Sequence, residues 1–221
     1  MKNLAKYIDH TLLAQNATKE QIKKLCEEAR EHEFCSVCVN SSYVSLAKEF
    51  LDGSSVKVCS VVGFPLGAMS NDAKAYEAKK AIEDGAEEID MVINVGFLKS
   101  NDFKSIEEDI KNLRVTCKGL ILKVILETAL LEEEEIIKVC QIAKEVGADF
   151  VKTSTGFSTR GASLEDVKIM KEAAGDSVNI KASGGIRSYE SAMQMINAGA
   201  SRLGTSSGIA IIKGQTSDKS Y

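Results

Sequence analysis

No stretch of this chain approaches the roughly 20 consecutive apolar residues that a membrane-spanning helix needs. The opening Met1-Lys2-Asn3-Leu4-Ala5-Lys6-Tyr7-Ile8-Asp9-His10 also lacks the long apolar core of a secretory signal. The expectation is a cytoplasmic protein that makes no membrane contact. Proline occurs once and histidine twice. His10 and His32 stand apart, with no second Cys/His pair to complete a zinc site, so no metal and no other cofactor is expected. Excess positive charge is missing too: 28 Lys and Arg face 32 Asp and Glu, a net charge of −4, which argues against nucleic acid as the main partner. Six cysteines in a chain without such a signal read as free thiols. Cys35-Ser36-Val37-Cys38 has redox or zinc spacing, yet Phe34 to Val39 reads as a strand. Positions 35 and 38 would then leave by opposite faces, and buried thiol packing is the better reading.

Against these absences stands an ordinary globular composition, 44% apolar and 27% charged over 221 residues, enough to bury a full core without disulfides. Strand-like apolar runs lie near 7–9, 34–39, 56–62, 87–94, 120–126, 149–153, 178–182 and 201–204. Amphipathic helical patterns lie between and after them, near 18–32, 42–51, 70–84, 101–117, 132–146, 163–174, 188–198 and 206–213. Thr18-Lys19-Glu20-Gln21 has the form of a capping box. Glu132 to Glu135 suit the positive end of a helix dipole. Gly85, Gly147, Gly175 and Gly199 fall where helices end. Eight strand-then-helix units predict an α/β protein, a single-domain (β/α)8 TIM barrel over residues 1–213 with a polar, mobile tail over 214–221. The rival, an open doubly wound sheet, normally carries a glycine-rich loop after its first strand, and Ile8-Asp9-His10-Thr11-Leu12-Leu13 has no glycine.

Three lysines sit where lysines are rarely found. Lys123 lies within Leu120-Ile121-Leu122-Lys123-Val124-Ile125-Leu126, Lys152 within Asp149-Phe150-Val151-Lys152-Thr153, and Lys181 within Val178-Asn179-Ile180-Lys181-Ala182. The intervals from 123 to 152 and from 152 to 181 are both 29 residues, about one strand-plus-helix unit, which predicts equivalent places on successive strands. The C-terminal strand ends of a parallel barrel share one mouth, where they would gather Asp9, Thr11, Cys38, Asn40, Asp90, Asn94, Lys123, Glu127, Lys152 and Lys181. Any one of these charges alone reads equally well as half of an interior ion pair. Three lysines and an aspartate together do not, because unpaired buried charge is costly.

Lys152 is the candidate nucleophile. Lys181 would add a like charge that favours the neutral amine, and Asp90 would move protons. Lys123 compensates either Asp90 or Glu127.

Two glycine-containing loops complete the candidate site. Ser183-Gly184-Gly185-Ile186-Arg187 follows the seventh strand, and Gly204-Thr205-Ser206-Ser207-Gly208 follows the eighth and opens a helix. Each alone is a tight turn. Together, after those two strands, Gly184, Gly185, Ser206 and Ser207 predict a phosphate pocket, with Thr155 and Gly156 as further donors. Arg160 or Arg187 would either add positive charge there or pair with a local carboxylate.

The chain resembles the deoxyribose-phosphate aldolases from Tyr7 onward. The likeness is carried by Asp9-His10-Thr11-Leu12-Leu13, Ser36-Val37-Cys38-Val39-Asn40, Glu88-Ile89-Asp90-Met91-Val92, Leu122-Lys123-Val124-Ile125-Leu126-Glu127-Thr128, Val151-Lys152-Thr153-Ser154-Thr155-Gly156 and Ile180-Lys181-Ala182-Ser183-Gly184-Gly185-Ile186-Arg187. The resemblance implies metal-free cleavage of 2-deoxy-D-ribose 5-phosphate to acetaldehyde and D-glyceraldehyde 3-phosphate, with a role in deoxyribose catabolism. It implies Lys152 as the Schiff-base lysine, Asp90 and Lys181 as proton donors and acceptors, and a homodimer or homotetramer. Thr11, Cys38, Lys123, Thr155, Gly156, Gly184, Gly185, Ser206 and Ser207 are the expected substrate contacts. Phe157 stands where some members have lysine, and Arg160 where a small residue is expected. Tyr221 either ends a polar tail or folds over the mouth to assist proton transfer, as the Ser-Tyr ending of some members suggests. Rivals are a Schiff-base lyase for another sugar phosphate, a non-enzymatic phosphometabolite binder and a purely structural protein.

Overall fold

The structure, a computed structural model, describes residues 4–217. Every predicted strand forms: β1 Ile8–Leu12, β2 Ser36–Val39, β3 Lys57–Val62, β4 Glu88–Val92, β5 Ile121–Ile125, β6 Phe150–Lys152, β7 Asn179–Ser183 and β8 Arg202–Thr205. They pair in parallel in chain order, and β8 pairs back onto β1, so the sheet closes into a barrel. Around it run α1 Lys19–Glu31, α2 Val44–Phe50, α3 Asn71–Glu83, α4 Val95–Lys99, α5 Phe103–Thr116, α6 Glu133–Val146, α7 Leu164–Ala174, α8 Tyr189–Asn197 and α9 Gly208–Ile212. The architecture is the expected (β/α)8 barrel. The short α4 is an addition: the pattern near 101–117 misses it because Asn94 starts a separate turn, its Oδ1 accepting from the Phe97 amide at 3.3 Å.

The strands read as near-continuous apolar runs because both of their faces are covered. One parity, including Ile89, Met91, Leu122, Val124, Val151, Ile180 and Leu203, packs into the shared core beneath the helices. The other parity carries Asp9, Glu88, Asp90, Lys123, Lys152, Lys181 and Arg202, whose side chains meet one another inside the barrel. Helix boundaries follow local chemistry. Thr18 and Gln21 form the predicted reciprocal cap at α1. The Glu132 amide donates to Glu135 Oε2 at 2.8 Å at the acidic start of α6, and Gly147 ends that helix with φ +83°.

Behind β4, the wholly buried Lys74 of α3 donates to Val92 O at 2.8 Å and to Asp109 Oδ2 of α5 at 2.5 Å. Burial pulls the Lys74 amine down despite the attraction of Asp109. Two helices are thereby clamped to the end of the strand that carries Asp90.

The equal 29-residue intervals do not give three equivalent heights. Lys152 pairs in register with Lys181, matching the expectation, but Lys123 pairs with Phe150, and Ile125 pairs with Lys152. Lys123 therefore sits two residues deeper, level with Asp90. Hydrogen-bond register sets depth, and chain spacing matches it only where the intervening helix and loops have the right length. Beyond α9, Thr216 bridges to Ser188 and the Ser217 amide donates to Arg187 O at 3.0 Å. Tyr221 lies outside the described residues.

Candidate active site

Asp90 is the hub. It is fully buried on β4, and its Oδ2 accepts from Lys152 Nζ and from Lys181 Nζ, each at 2.8 Å. Its Oδ1 accepts from Lys123 Nζ at 2.8 Å and from the Cys59 thiol at 3.1 Å. Burial opposes ionisation of Asp90, but the charges of Lys123, Lys152 and Lys181 outweigh it and hold the carboxyl well below its usual range. The three lysines come from β5, β6 and β7, so successive strands deliver them to one carboxylate. Gly204 on β8 leaves the room that Lys181 needs, since a β-carbon there would lie 3.1 Å from Lys181 Cε.

A second layer of charge compensates the first. Lys181 Nζ lies 2.6 Å from Asp9 Oδ2, and Lys123 Nζ lies 2.5 Å from Glu88 Oε2. Arg202 joins these acids, its Nε to Asp9 Oδ1 at 2.7 Å and its Nη2 to Glu88 Oε2 at 2.6 Å. Burial disfavours the charged forms of Lys181 and Lys123. For Lys181, Asp9 and Asp90 more than reverse this, and for Lys123, Asp90 leads, so both amines are raised and stay protonated. Lys123 thus compensates Asp90 and Glu88, and Glu127 is engaged elsewhere. Sequence reasoning did not single out Glu88 or Arg202, although each shares the inward parity of its strand. The expected like-charge contact between Lys181 and Lys152 also has a carboxylate between its members.

These partnerships leave the amines unequal. Lys123, Lys181 and Arg202 each reach two carboxylates, whereas the carboxylate contact found for Lys152 is with Asp90, on an oxygen shared with Lys181. Three acids (Asp9, Glu88 and Asp90) face four bases, so one positive charge exceeds what the carboxylates balance. Lys152, the least compensated, stands at the mouth end of β6.

Around the rim, the expected contacts are distributed unevenly. Thr11 and Cys38 are register partners on β1 and β2, and the Thr11 hydroxyl donates to Asp9 O at 2.8 Å. Thr155 binds Glu127: its amide approaches Oε1 at 3.3 Å and its hydroxyl reaches Oε2. Burial raises the Glu127 carboxyl, and the Thr155 hydrogen bonds only partly offset this. A cavity of about 130 Å³ opens beside this pair, lined by Val92, Leu130, Thr155 and Phe157 among others. The ring of Phe157 meets Phe64 edge to face at 5.3 Å, so this position supplies packing.

Gly156, Gly161 and Gly184 bring the loops after β6 and β7 together. A β-carbon on Gly161 would lie 2.2 Å from Gly184 O, and the Ala162 amide donates to that oxygen at 3.1 Å. Gly184 and Gly185 have φ of +84° and +78°, the left-handed turn that glycine makes without strain. Ser206 and Ser207 lie between β8 and α9. The Ser207 amide donates to Thr205 Oγ1 at 2.9 Å, while the Ser207 hydroxyl is buried without a hydrogen-bond partner. Arg160 is committed to Asp166, to Thr128 O at 3.2 Å and to Gly161 O at 3.1 Å, so it pairs with a local carboxylate.

A closed barrel with a carboxylate-centred group of amines at its mouth is the architecture of a barrel enzyme. Residues 3–214 match the model of the DeoC/LacD family aldolases, and the chain belongs to that family. A deoxyribose-phosphate aldolase of Finegoldia magna is 60% identical over 211 residues, covering 96% of this chain and 99% of the relative. One from Streptococcus gordonii is 56% identical over 218 residues, covering 99% of each. Among solved structures, the tetrameric deoxyribose phosphate aldolase of Aeropyrum pernix superposes with a TM-score of 0.89 at 34% identity, over 95% of this chain and 89% of its own. No helix among the described residues is long and apolar enough to cross a membrane.

Proposed function

We propose that this protein reversibly cleaves 2-deoxy-D-ribose 5-phosphate to acetaldehyde and D-glyceraldehyde 3-phosphate through a Schiff base on Lys152. The observation that carries the reading is the arrangement at Asp90. One carboxylate oxygen accepts from both Lys152 and Lys181, and of the four interior bases Lys152 has the weakest compensation. The names of the close relatives point to the same substrate.

In the mechanism, unprotonated Lys152 Nζ adds to the C1 aldehyde, and loss of water gives an iminium. Asp90, with water, takes the C3 hydroxyl proton. The C2–C3 bond then breaks, its electron pair moving into the iminium to form an enamine, and D-glyceraldehyde 3-phosphate leaves. Asp90, relaying with Lys181, which Asp9 and Asp90 keep protonated, then passes that proton on to the enamine carbon, so both groups end as they began. Hydrolysis frees acetaldehyde and restores the amine. Gly184, Gly185, Ser206 and the hydroxyl of Ser207 would hold the phosphate, with Thr155 and Gly156 as further donors. Thr11 and Cys38 would border the sugar, and Lys123 would hold Asp90 in place. The same reading implies a cytoplasmic enzyme of deoxyribose catabolism, with no nucleic-acid partner, assembled as a dimer or tetramer.

Treating the protein with acetaldehyde and borohydride should add one ethyl group, located on Lys152 by peptide mass spectrometry. A Lys152→Ala protein that folds and still cleaves the sugar phosphate would overturn the reading.

A further inference from the structure

Two thiols inside the barrel take no part in that mechanism as bond-forming groups. Cys38 of β2 and Cys59 of β3 are register partners on adjacent strands, both fully buried and both facing the interior. Their sulfurs and an oxygen of Asp90 all lie within 4.8 Å of one another. The Cys59 thiol donates to Asp90 Oδ1 at 3.1 Å and receives Lys123 Nζ at 3.4 Å. Leu13 and Val61 close the far side of this small cluster. The other four cysteines lie apart from it.

We propose that Cys38, Cys59 and Asp90 form a site for a thiophilic divalent cation such as Zn2+ or Cd2+, and that occupancy shuts off the aldolase proposed above. Two thiolates and a carboxylate are a donor set that soft and borderline cations prefer over hard ones. With metal–sulfur bonds of about 2.3 Å at a tetrahedral angle, the sulfurs would stand about 3.8 Å apart, so the group needs only small side-chain shifts to close on an ion. The surrounding lysines do not forbid this, because each thiol gives up its proton as its sulfur bonds to the metal. One dication enters, two protons leave, no electrons change hands and the interior keeps its net charge. The entry route is the mouth through which an aldehyde must reach Lys152. Inhibition follows from competition for one carboxylate: an ion held by Asp90 takes the acceptor that orients Lys152 and Lys181, and the ion's open coordination position faces the reacting amine.

The inhibition rests on the proposed function, whereas the binding does not, so the two are measured apart. Freshly reduced whole protein is titrated with Cd2+ while the ultraviolet thiolate-to-metal charge-transfer band is followed, and native mass spectrometry counts the ions retained after desalting. One Cd2+ per chain is expected, with loss of deoxyribose 5-phosphate cleavage in step with the band and recovery on adding a chelator. Cys38→Ser and Cys59→Ser should each weaken binding by more than the roughly 10–100-fold that even an outer partner of a metal ligand contributes. Cys35→Ser should leave the band unchanged. Retention of no ion by the wild-type protein, or an equal band in both inner-cysteine variants, overturns the site. Inactivation accompanied by loss of two titratable thiols and no bound metal means oxidation and also overturns it. If the protein binds Cd2+ through both thiols but never cleaves the sugar phosphate, the site stands and the functional reading fails.

Discussion

At the scale of single residues, the decisive feature is how many partners each buried charge has. Lys181 is held by Asp9 and Asp90, and Lys123 by Glu88 and Asp90, while Lys152 shares one oxygen of Asp90. A proton on Lys181 is therefore secure, and in the proposed mechanism it serves the carboxylate between it and Lys152. Lys181→Leu should lower turnover by about 10²–10⁴-fold, the range that positioned acid–base groups supply. It should also move the pH at which imine formation becomes fast, because Asp90 would then answer to Lys152 and Lys123 alone. A pre-steady-state pH profile of borohydride trapping, run beside a thermal melt to confirm folding, checks this. Turnover near wild type in that variant would remove Lys181 from the mechanism.

At the scale of elements, the proposed function assigns binding to the loops that end β6, β7 and β8 and chemistry to the strand ends. The strands carry the amines, while glycines let the loops after β6 and β7 approach one another closely. Gly161 against Gly184 is the tightest of these approaches. An acidic side chain at Ser206 would set negative charge against a phosphate without touching the Asp90 group. Ser206→Asp should therefore depress kcat/KM for deoxyribose 5-phosphate steeply and that for unphosphorylated deoxyribose little. On the proposed reading the phosphate contacts lie away from the bond that breaks, so their loss should act by misplacing C1 relative to Lys152. An equal proportional loss for both substrates would place the phosphate elsewhere. Arg160 is a poor substitute, because its guanidinium is already spent on Asp166.

For the whole molecule, closing the barrel also closes the charge network. Arg202 of β8 reaches Asp9 of β1 and Glu88 of β4, ion pairs between strands far apart in the chain. Removing one member strands the others, and breaking a buried pair typically costs about 3–5 kcal/mol. The sign of the pH dependence follows from the carboxylates. Burial opposes ionisation of Asp9, but Lys181 and Arg202 prevail, and Asp90 is likewise held well below its ordinary value of 3.8. Their contribution to stability is thus complete above that value and is lost as pH falls through the lower folded-state values. The barrel should stay folded as pH is brought down to about 4 and unfold steeply below it. Asp9→Asn should be less stable at pH 7 and lose stability less steeply with acid. Circular dichroism during acid titration and urea unfolding at fixed pH measure both, and an unchanged acid slope in the variant would contradict the assignment.

The chain's local patterns were sufficient for the eight strand–helix units, the caps at Thr18 and Gly147, and the inward placement of Lys152, Lys181 and Asp90. Those features depend on neighbours in sequence: apolar runs, turn residues, and an amine or acid out of place within a strand. The pairing of Lys152 with Lys181 was legible because the β6–β7 interval happens to equal the register. The depth of Lys123 was not, since the β5–β6 unit pairs Lys123 with Phe150. Only the tertiary structure decided that Asp90 sits between the amines, that Glu88 and Arg202 belong to the same network, that Arg160 is already paired, and that Cys38 and Cys59 lie together beside Asp90. Apart from the Arg160 pair, which forms within a loop and the helix that follows it, each of these depends on which inward side chains face one another once hydrogen bonding has closed β8 onto β1, a long-range condition that no local run of residues encodes.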